Sequence, residues 1–219
     1  TGVLLVCIGN ACRRARQLQE EDKEYIATLR LGATTPSYDL EKEPDRFFPF
    51  SHITPDAVRA ALPAFLGEQE QVAPLFSAKS VDGIRAYELA RKLYKASLSA
   101  IPGPDRESLF DTAALETLRR NRIVISELEL LSWKEGPERG SPSSGPSGTA
   151  SSRIHVADTS ALGLPEAVIR IRCSKGTYIR AFARDLGEAL GSGAHLAALV
   201  RSRCGAFPLA EALSLDEAL

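Results

Sequence analysis

Apolar and polar positions change rhythm several times along the chain, and each change marks an expected element. Residues 3–8 are continuously apolar and partly β-branched, which predicts a buried strand. Gly9 and Asn10 then turn the chain into a short helix over 11–18. Residues 23–32 alternate: Tyr25, Ala27 and Leu29 face one way, while Ile26, Thr28 and Arg30 face the other. That rhythm predicts a strand covered unequally on its two faces. A turn-rich stretch, "GATTPSYDLE", follows. Thr54, with Pro55 and Asp56 behind it, has the composition of a helix start, and the helix is expected to reach about Phe65 and stop at Gly67.

Residues 67–74 are polar enough to predict a loop. The pattern then suggests a strand over 76–81 turned by Asp82 and Gly83, and a helix over 84–93 with Leu89 and Leu93 on one stripe. Residues 97–118 carry no clear period, although a short helix fits 112–119. Residues 121–133 alternate as a strand does, and the Gly, Ser and Pro of 134–153 predict a flexible loop or hairpin tip. The strongest strand-to-helix signal is a strand over 167–173, a turn over 174–177 and a helix over 178–190, with Ile179, Phe182, Leu186 and Leu190 on its apolar side. Another short helix and a strand over about 202–207 are expected after it. Strands are numerous and not regularly interleaved with helices, so the expected class is α+β with a mixed or antiparallel sheet.

Composition narrows the function classes only slightly. The 27 basic and 28 acidic residues leave a net charge of -1, which argues against nucleic-acid binding by bulk charge but not against a local basic patch. Cys7, Cys12, Cys173 and Cys204 lack zinc-site spacing and are expected to be buried reduced thiols. No apolar run approaches the ~18 residues of a membrane span, and no signal segment is evident, so the cytosol is the expected setting. Methionine is absent, the first position included, which suggests a processed or partial chain.

The densest polar cluster is "VIRIRCSKGTYIRAFARDLG", where Arg170, Arg172, Lys175, Arg180 and Arg184 crowd a strand-to-helix transition. Gly176 permits a tight turn, and amides at a helix start hold anions. Lysine and arginine beside them suit RNA phosphate, a nucleotide or another anion equally, or orient a carboxylate. No GxGxxG or GxxxxGK[ST] cradle is present. Tyr25 is either a core tyrosine or a stacking platform for a flat ring. Lys79, Arg85, Tyr87 and Arg91 with Phe76 make either a charged surface or one lip of an RNA groove.

Four ordered stretches, "TGVLLVCIGNACR", "KEYIATLRLGATT", "PLFSAKSVDGIRAYELAR" and "RCSKGTYIRAFARDLGEALGSGAHLAALVRSRCGAF", resemble the bacterial tRNA pseudouridine-55 synthase family, TruB-like pseudouridine synthases. The resemblance implies a pseudouridine-synthase-like catalytic domain over 1–207, with a mixed, largely antiparallel central sheet flanked by helices. A tail over 208–219 would then be the possible start of a missing or reduced RNA-binding domain. It further implies isomerisation of the T-loop uridine of tRNA to pseudouridine, with no cofactor and no metal. The expected partner is tRNA, through its T-arm and T-loop, with no membrane and no obligatory protein partner.

The same resemblance assigns roles by residue. Tyr25 stacks on the base and assists proton removal from C5, and Arg180 pairs with the catalytic aspartate. Tyr178 lines the pocket, Leu199 packs against the base, and Lys175 and Gly176 form the turn beneath that wall. Lys79, Arg85 and Arg203 belong to the RNA-side surface. In the family the nucleophilic aspartate falls four residues before the threonine of "TGVL", hence before Thr1, and a chain complete from Thr1 would be inactive. Cys12 stands where a hydroxyl is usual. The alternatives are a catalytically inactive RNA-binding or RNA-folding module, or a synthase for a different uridine.

Overall fold

The computed structural model describes residues 1–74, 80–81, 84–85, 120–136 and 156–218, with 80–81 and 84–85 described by backbone alone. They form two compact units, Thr1–Gln69 with Ile123–Leu219, and Glu70–Arg122.

The first unit is built on a largely antiparallel sheet whose strand order is β10-β9-β1-β8-β7-β4. Its members are β1 (Lys23–Leu31), β4 (Gly67–Val72), β7 (Arg120–Lys134), β8 (Glu166–Cys173), β9 (Ala194–Cys204) and β10 (Phe207–Pro208). A two-stranded ribbon, β2 (Ala33–Thr34) with β3 (Arg46–Phe47), stands beside it. Among the described residues the helices are α1 (Ala15–Glu20), α2 (Pro55–Ala61), α3 (Ile179–Ala189) and α4 (Leu215–Ala218). The expected α+β class and antiparallel sheet are therefore observed.

The alternation of β1 decides where the core sits. Tyr25 lies opposite Ile171 of β8 and Arg201 of β9, Ala27 opposite Ile169 and Leu199, and Leu29 opposite Ala167 and Leu196. Directly opposed residues share a face, so these rows form the inner side of the sheet. Leu29, Ile169 and Ile171 are fully buried with Phe182 and Leu186 of α3. Each such side chain contributes about 1.5–3 kcal/mol by leaving water. Phe65, just past α2, meets Phe182 edge to face at 5.5 Å between ring centroids.

α2 begins as its residues require. Thr54 is extended, and its Oγ1 accepts a hydrogen bond from the Ala57 amide at 3.1 Å, with Pro55 in the first turn. The helix tightens into a 3-10 turn over Leu62–Phe65 before Gly67.

Four expectations are corrected in the first unit. Residues 3–8 do not join the sheet ladder as a buried strand: only Val3 is buried, while Leu4, Val6 and Ile8 are exposed. The run is extended, and alternate side chains point outward, so continuous apolarity does not translate into two-sided burial. Gly67–Val72 is a strand rather than a loop, because position beside β7 supplies the backbone partners that its polar side chains do not advertise. Ala194–Cys204 is one strand where a helix followed by a strand was expected. Its Ala and Leu are good helix formers, but pairing with β1 on one side and burial at Ala194, His195 and Leu196 outweigh propensity. Finally, Cys173 and Cys204 are buried as expected, whereas Cys12 is exposed and Cys7 half-buried.

In the second unit, Ser80–Val81 and Ile84–Arg85 pair as β5 and β6, so the helix expected from 84 does not begin there. Arg120 and Glu70 form an ion pair at 3.3 Å. The rest of the expected 84–93 helix, the 112–119 helix, the loop over 137–153 and most of the 76–81 strand lie outside the described residues.

Candidate functional site

At the Tyr25 end of the inner face the hydrophobic core runs out into a cavity of about 390 Å³. Its floor is sheet: Lys23 and Tyr25 from β1, Arg201 and Cys204 from β9. One wall is the turn Ser174, Lys175, Gly176 and Thr177, and the other is Leu5 and Cys7 with Leu18 and Gln19 of α1. Val3 holds the second wall down, because its amide donates to Arg201 O at 2.9 Å and Arg201 Nε donates to Val3 O at 2.6 Å. Gly2 is required at this crossing. Its φ is +114°, and a Cβ there would fall into the backbone carbonyl of Arg201. Gly176, at φ +79°, lets the opposite wall turn from β8 toward α3.

A bulge selects which arginine enters the cavity. Glu24 opposes Arg203 and Tyr25 opposes Arg201, leaving Ser202 as the extra residue. Ser202 Oγ donates to Glu24 Oε1 at 2.7 Å, pinning the bulge. Arg201 thus shares the inner face with Tyr25, and Arg203 goes to the opposite face beside Glu24. Burial pushes the Tyr25 phenol above its ordinary value, with Cys173 and Cys204 adding to the rise and Arg201 opposing it through a hydrogen bond. Tyr25 therefore meets a ligand as a neutral hydroxyl with an arginine at hand.

Three residues beyond Thr177, Arg180 occupies the first turn of α3. Its Nη1 lies 3.0 Å from Asp39 Oδ2, and both side chains are about three-quarters buried, at 23% and 25% exposure. Asp39 is aimed from a tight turn. Its Oδ1 accepts from Ser37 Oγ at 2.6 Å and from the Glu41 amide at 3.0 Å, which leaves Oδ2 to Arg180. Thr35 Oγ1 donates to the Asp39 carbonyl at 2.7 Å, and Thr35 and Ser37 are fully buried.

These contacts change the picture of the basic cluster. Arg170 pairs with Glu129, Arg172 with Glu127 at 3.0 Å, Lys175 with Glu20 at 2.5 Å, Arg180 with Asp39, and Arg184 with Asp185 at 2.6 Å. Each cation already faces a carboxylate, so the crowd of positive residues in sequence is no field of uncompensated charge in space.

Comparison with known proteins places this arrangement. Residues 1–102 match the family described as TruB family pseudouridylate synthase (N terminal domain). The protein "tRNA pseudouridine synthase B" of Phocaeicola vulgatus is 44% identical over 216 residues, spanning 99% of this chain and 71% of that protein. The protein of the same name from Bacteroides thetaiotaomicron is 45% identical over 215 residues, 97% of this chain and 70% of that protein.

The chain belongs to the TruB family of pseudouridylate synthases.

A solved chain from a Cbf5-Nop10-Gar1 complex is similar in fold, with a TM-score of 0.51 at 21% identity. That similarity covers 94% of this chain and 37% of the other.

Within this TruB-family chain the residues singled out by sequence separate into groups. Tyr25, Lys175 and Gly176 line one cavity. Arg180 stands with Asp39, and Tyr178 is the extended residue that starts α3. Leu199 is half-buried against the core, and its carbonyl accepts from the Thr1 amino group at 3.2 Å. Arg203 does not join them, because the bulge at Ser202 turns it to the other face of the sheet. Lys79 lies outside the described residues, and Arg85 is described only by its place in β6. Cys12 keeps a donor role, its thiol pointing to the Cys7 carbonyl at 3.2 Å. Asp39, Arg201 and Lys23 were missed. For Asp39 the available signal was a serine two residues before an aspartate in a turn-rich stretch, the composition of a side-chain-capped turn.

Proposed function

We propose that this chain carries the reaction core of a tRNA pseudouridine synthase acting in the cytoplasm on the T-loop uridine, the pseudouridine-55 reaction. Arg180 carries the reading: a largely buried guanidinium at the start of α3, three residues from the wall of the Tyr25 cavity, in a chain 44% identical to a tRNA pseudouridine synthase B. The isomerisation breaks the N1–C1′ bond, turns the uracil and joins C5 to C1′; C5 loses a proton and N1 gains one. It needs an ionised carboxylate at C1′, a cation to hold that carboxylate, a flat surface for the loose base and exclusion of water.

The family resemblance supplies the nucleophilic aspartate upstream of Thr1. The chain's own residues supply the rest. Arg180 holds the carboxylate charged and directed, with Asp39 fixing the guanidinium from its other side. Tyr25 lies under the base, and it assists removal of the C5 proton only in the phenolate form that Arg201 stabilises, which becomes the neutral phenol on taking that proton. Tyr178 and Leu199 close the pocket, and Lys175 and Gly176 shape its wall. The base must leave the T-loop stack to reach this site. Arg203, with Lys79 and Arg85, is assigned to RNA contact away from the reacting base.

The test is conversion of uridine in T-arm RNA by the intact enzyme and its Arg180→Ala variant. The expected result is a loss of turnover of about 10²–10³, the usual effect of removing a preorganised charge, with RNA binding retained. Near-normal turnover of the variant would remove Arg180 from the mechanism. Absence of conversion by the intact enzyme would sink the reading itself.

A further inference from the structure

The residue before Asp39 is unusual. Tyr38 is the one non-glycine residue among the described residues with a left-handed backbone, at φ 59°. A bulky residue rarely adopts this conformation, and it persists only where neighbouring contacts hold it. Those contacts are present. The Tyr38 amide donates to Thr35 O at 3.0 Å, and its carbonyl accepts from the Leu196 amide at 2.9 Å. The Tyr38 ring lies under the Arg184 guanidinium, 5.3 Å from its carbon to the ring centroid. Arg184 is itself held by Asp185, with 12% of its side chain exposed.

Arg180 and Arg184 are four residues apart on α3, so they project from the same helical face one turn from each other. Tyr38 and Asp39 are consecutive. Two neighbouring residues of the turn therefore dock on two neighbouring arginines of the helix, ring to Arg184 and carboxylate to Arg180. An extended or right-handed backbone at position 38 would alter the direction in which the following residue leaves the turn. The left-handed geometry lets both contacts form together.

We infer that Tyr38 and Arg184 are positioning residues: their stack fixes the strained turn that delivers the Asp39 carboxylate to Arg180. The inference rests on the proposed role of Arg180 in catalysis. Its consequence is specific, because loss of the stack loosens the guanidinium that must hold the reacting carboxylate while leaving the RNA-binding surface in place.

The test uses the intact enzyme with Tyr38→Phe, Tyr38→Gly and Arg184→Gln, each made alone and with Asp39→Asn. Tyr38→Phe keeps the ring under Arg184 but removes the hydroxyl that hydrogen-bonds it, and is expected to lower kcat less than Tyr38→Gly does. Tyr38→Gly relieves the backbone strain and removes the ring, and Arg184→Gln removes the cation without touching the turn. Both are expected to lower kcat about tenfold with KM for the RNA unchanged, a split that marks an interaction serving the reaction rather than substrate binding. In the Asp39→Asn background the same changes should cost less than about twofold, because the carboxylate they position is gone. Unchanged kcat in Tyr38→Gly and Arg184→Gln overturns the inference, as does a full tenfold loss repeated in the Asp39→Asn background. Should Tyr38→Gly fold poorly, Arg184→Gln decides by the same criterion. An Arg180→Ala enzyme of normal turnover would instead dispose of the functional reading on which the inference stands.

Discussion

His195 offers a pH test of the packing that supports the site. It is fully buried in β9, with both ring nitrogens engaged: Nδ1 lies 2.9 Å from the Ala33 carbonyl and Nε2 3.1 Å from Thr159 Oγ1. A carbonyl only accepts, so Nδ1 carries the proton and Nε2 accepts the Thr159 hydroxyl; this tautomer is inferred from the bonding partners. Thr159 in turn accepts from Arg30 Nη1 at 2.6 Å, and Arg30 pairs with Glu166 at 3.2 Å. Burial, chiefly, pushes the His195 value below its ordinary 6.5. Arg30 lowers it further, and the Ala33 carbonyl and Asp39 oppose the shift.

The unfolded chain therefore takes up this proton at a higher pH than the folded one. Stability contributed by the neutral ring is complete above pH 6.5 and is lost as pH falls through the folded value. The loss proceeds at no more than about 1.4 kcal/mol per pH unit, which caps it at about 2 kcal/mol between pH 7.5 and 5.0. That is a large part of a typical total of about 5–15 kcal/mol. Urea unfolding at pH 7.5 and 5.0, compared between the parent and His195→Gln, isolates this contribution. Carboxylate titration occurs in both proteins and cancels in the difference, while glutamine cannot titrate. The parent should lose more stability than the variant over this range, by no more than about 2 kcal/mol. Equal losses would refute the buried neutral histidine.

Two further predictions concern the same core. Burial pushes the Cys173 thiol up to about 11 from 9.0, against a weaker opposing hydrogen bond with Thr177. Its contribution is present below pH 9 and lost as pH rises toward 11, amounting to about 3 kcal/mol. Cys173→Ala should flatten that alkaline loss in urea unfolding, and an unchanged slope would count against it. Thr54→Ala removes the side-chain cap of the seven-residue α2 and should cost about 1 kcal/mol; thermal unfolding with no shift in midpoint would contradict the cap's contribution.

The sequence by itself determined the elements whose signal is local. The alternation of 23–32 gave both β1 and its inner face, since period two is a property of the strand alone. Thr54 and Pro55 set the start of α2, and the spacing of Ile179, Phe182 and Leu186 set the buried side of α3. Tyr25, Lys175 and Gly176, which the family resemblance groups together, line one cavity.

Tertiary structure decided what depends on a partner. Polar Gly67–Val72 and helix-favouring Ala194–Cys204 became strands because neighbouring backbone was available to pair with them. Arg201 and Arg203, two apart, would share a face in a regular strand, and only the bulge at Ser202 sends one to the cavity and the other away. The basic cluster lost its apparent excess charge once each cation met a carboxylate distant or adjacent in sequence. Asp39 is 141 residues from Arg180 along the chain, and no local pattern encodes their meeting. Their 3.0 Å contact exists because a left-handed turn at Tyr38 and one face of α3 are held against each other by the fold.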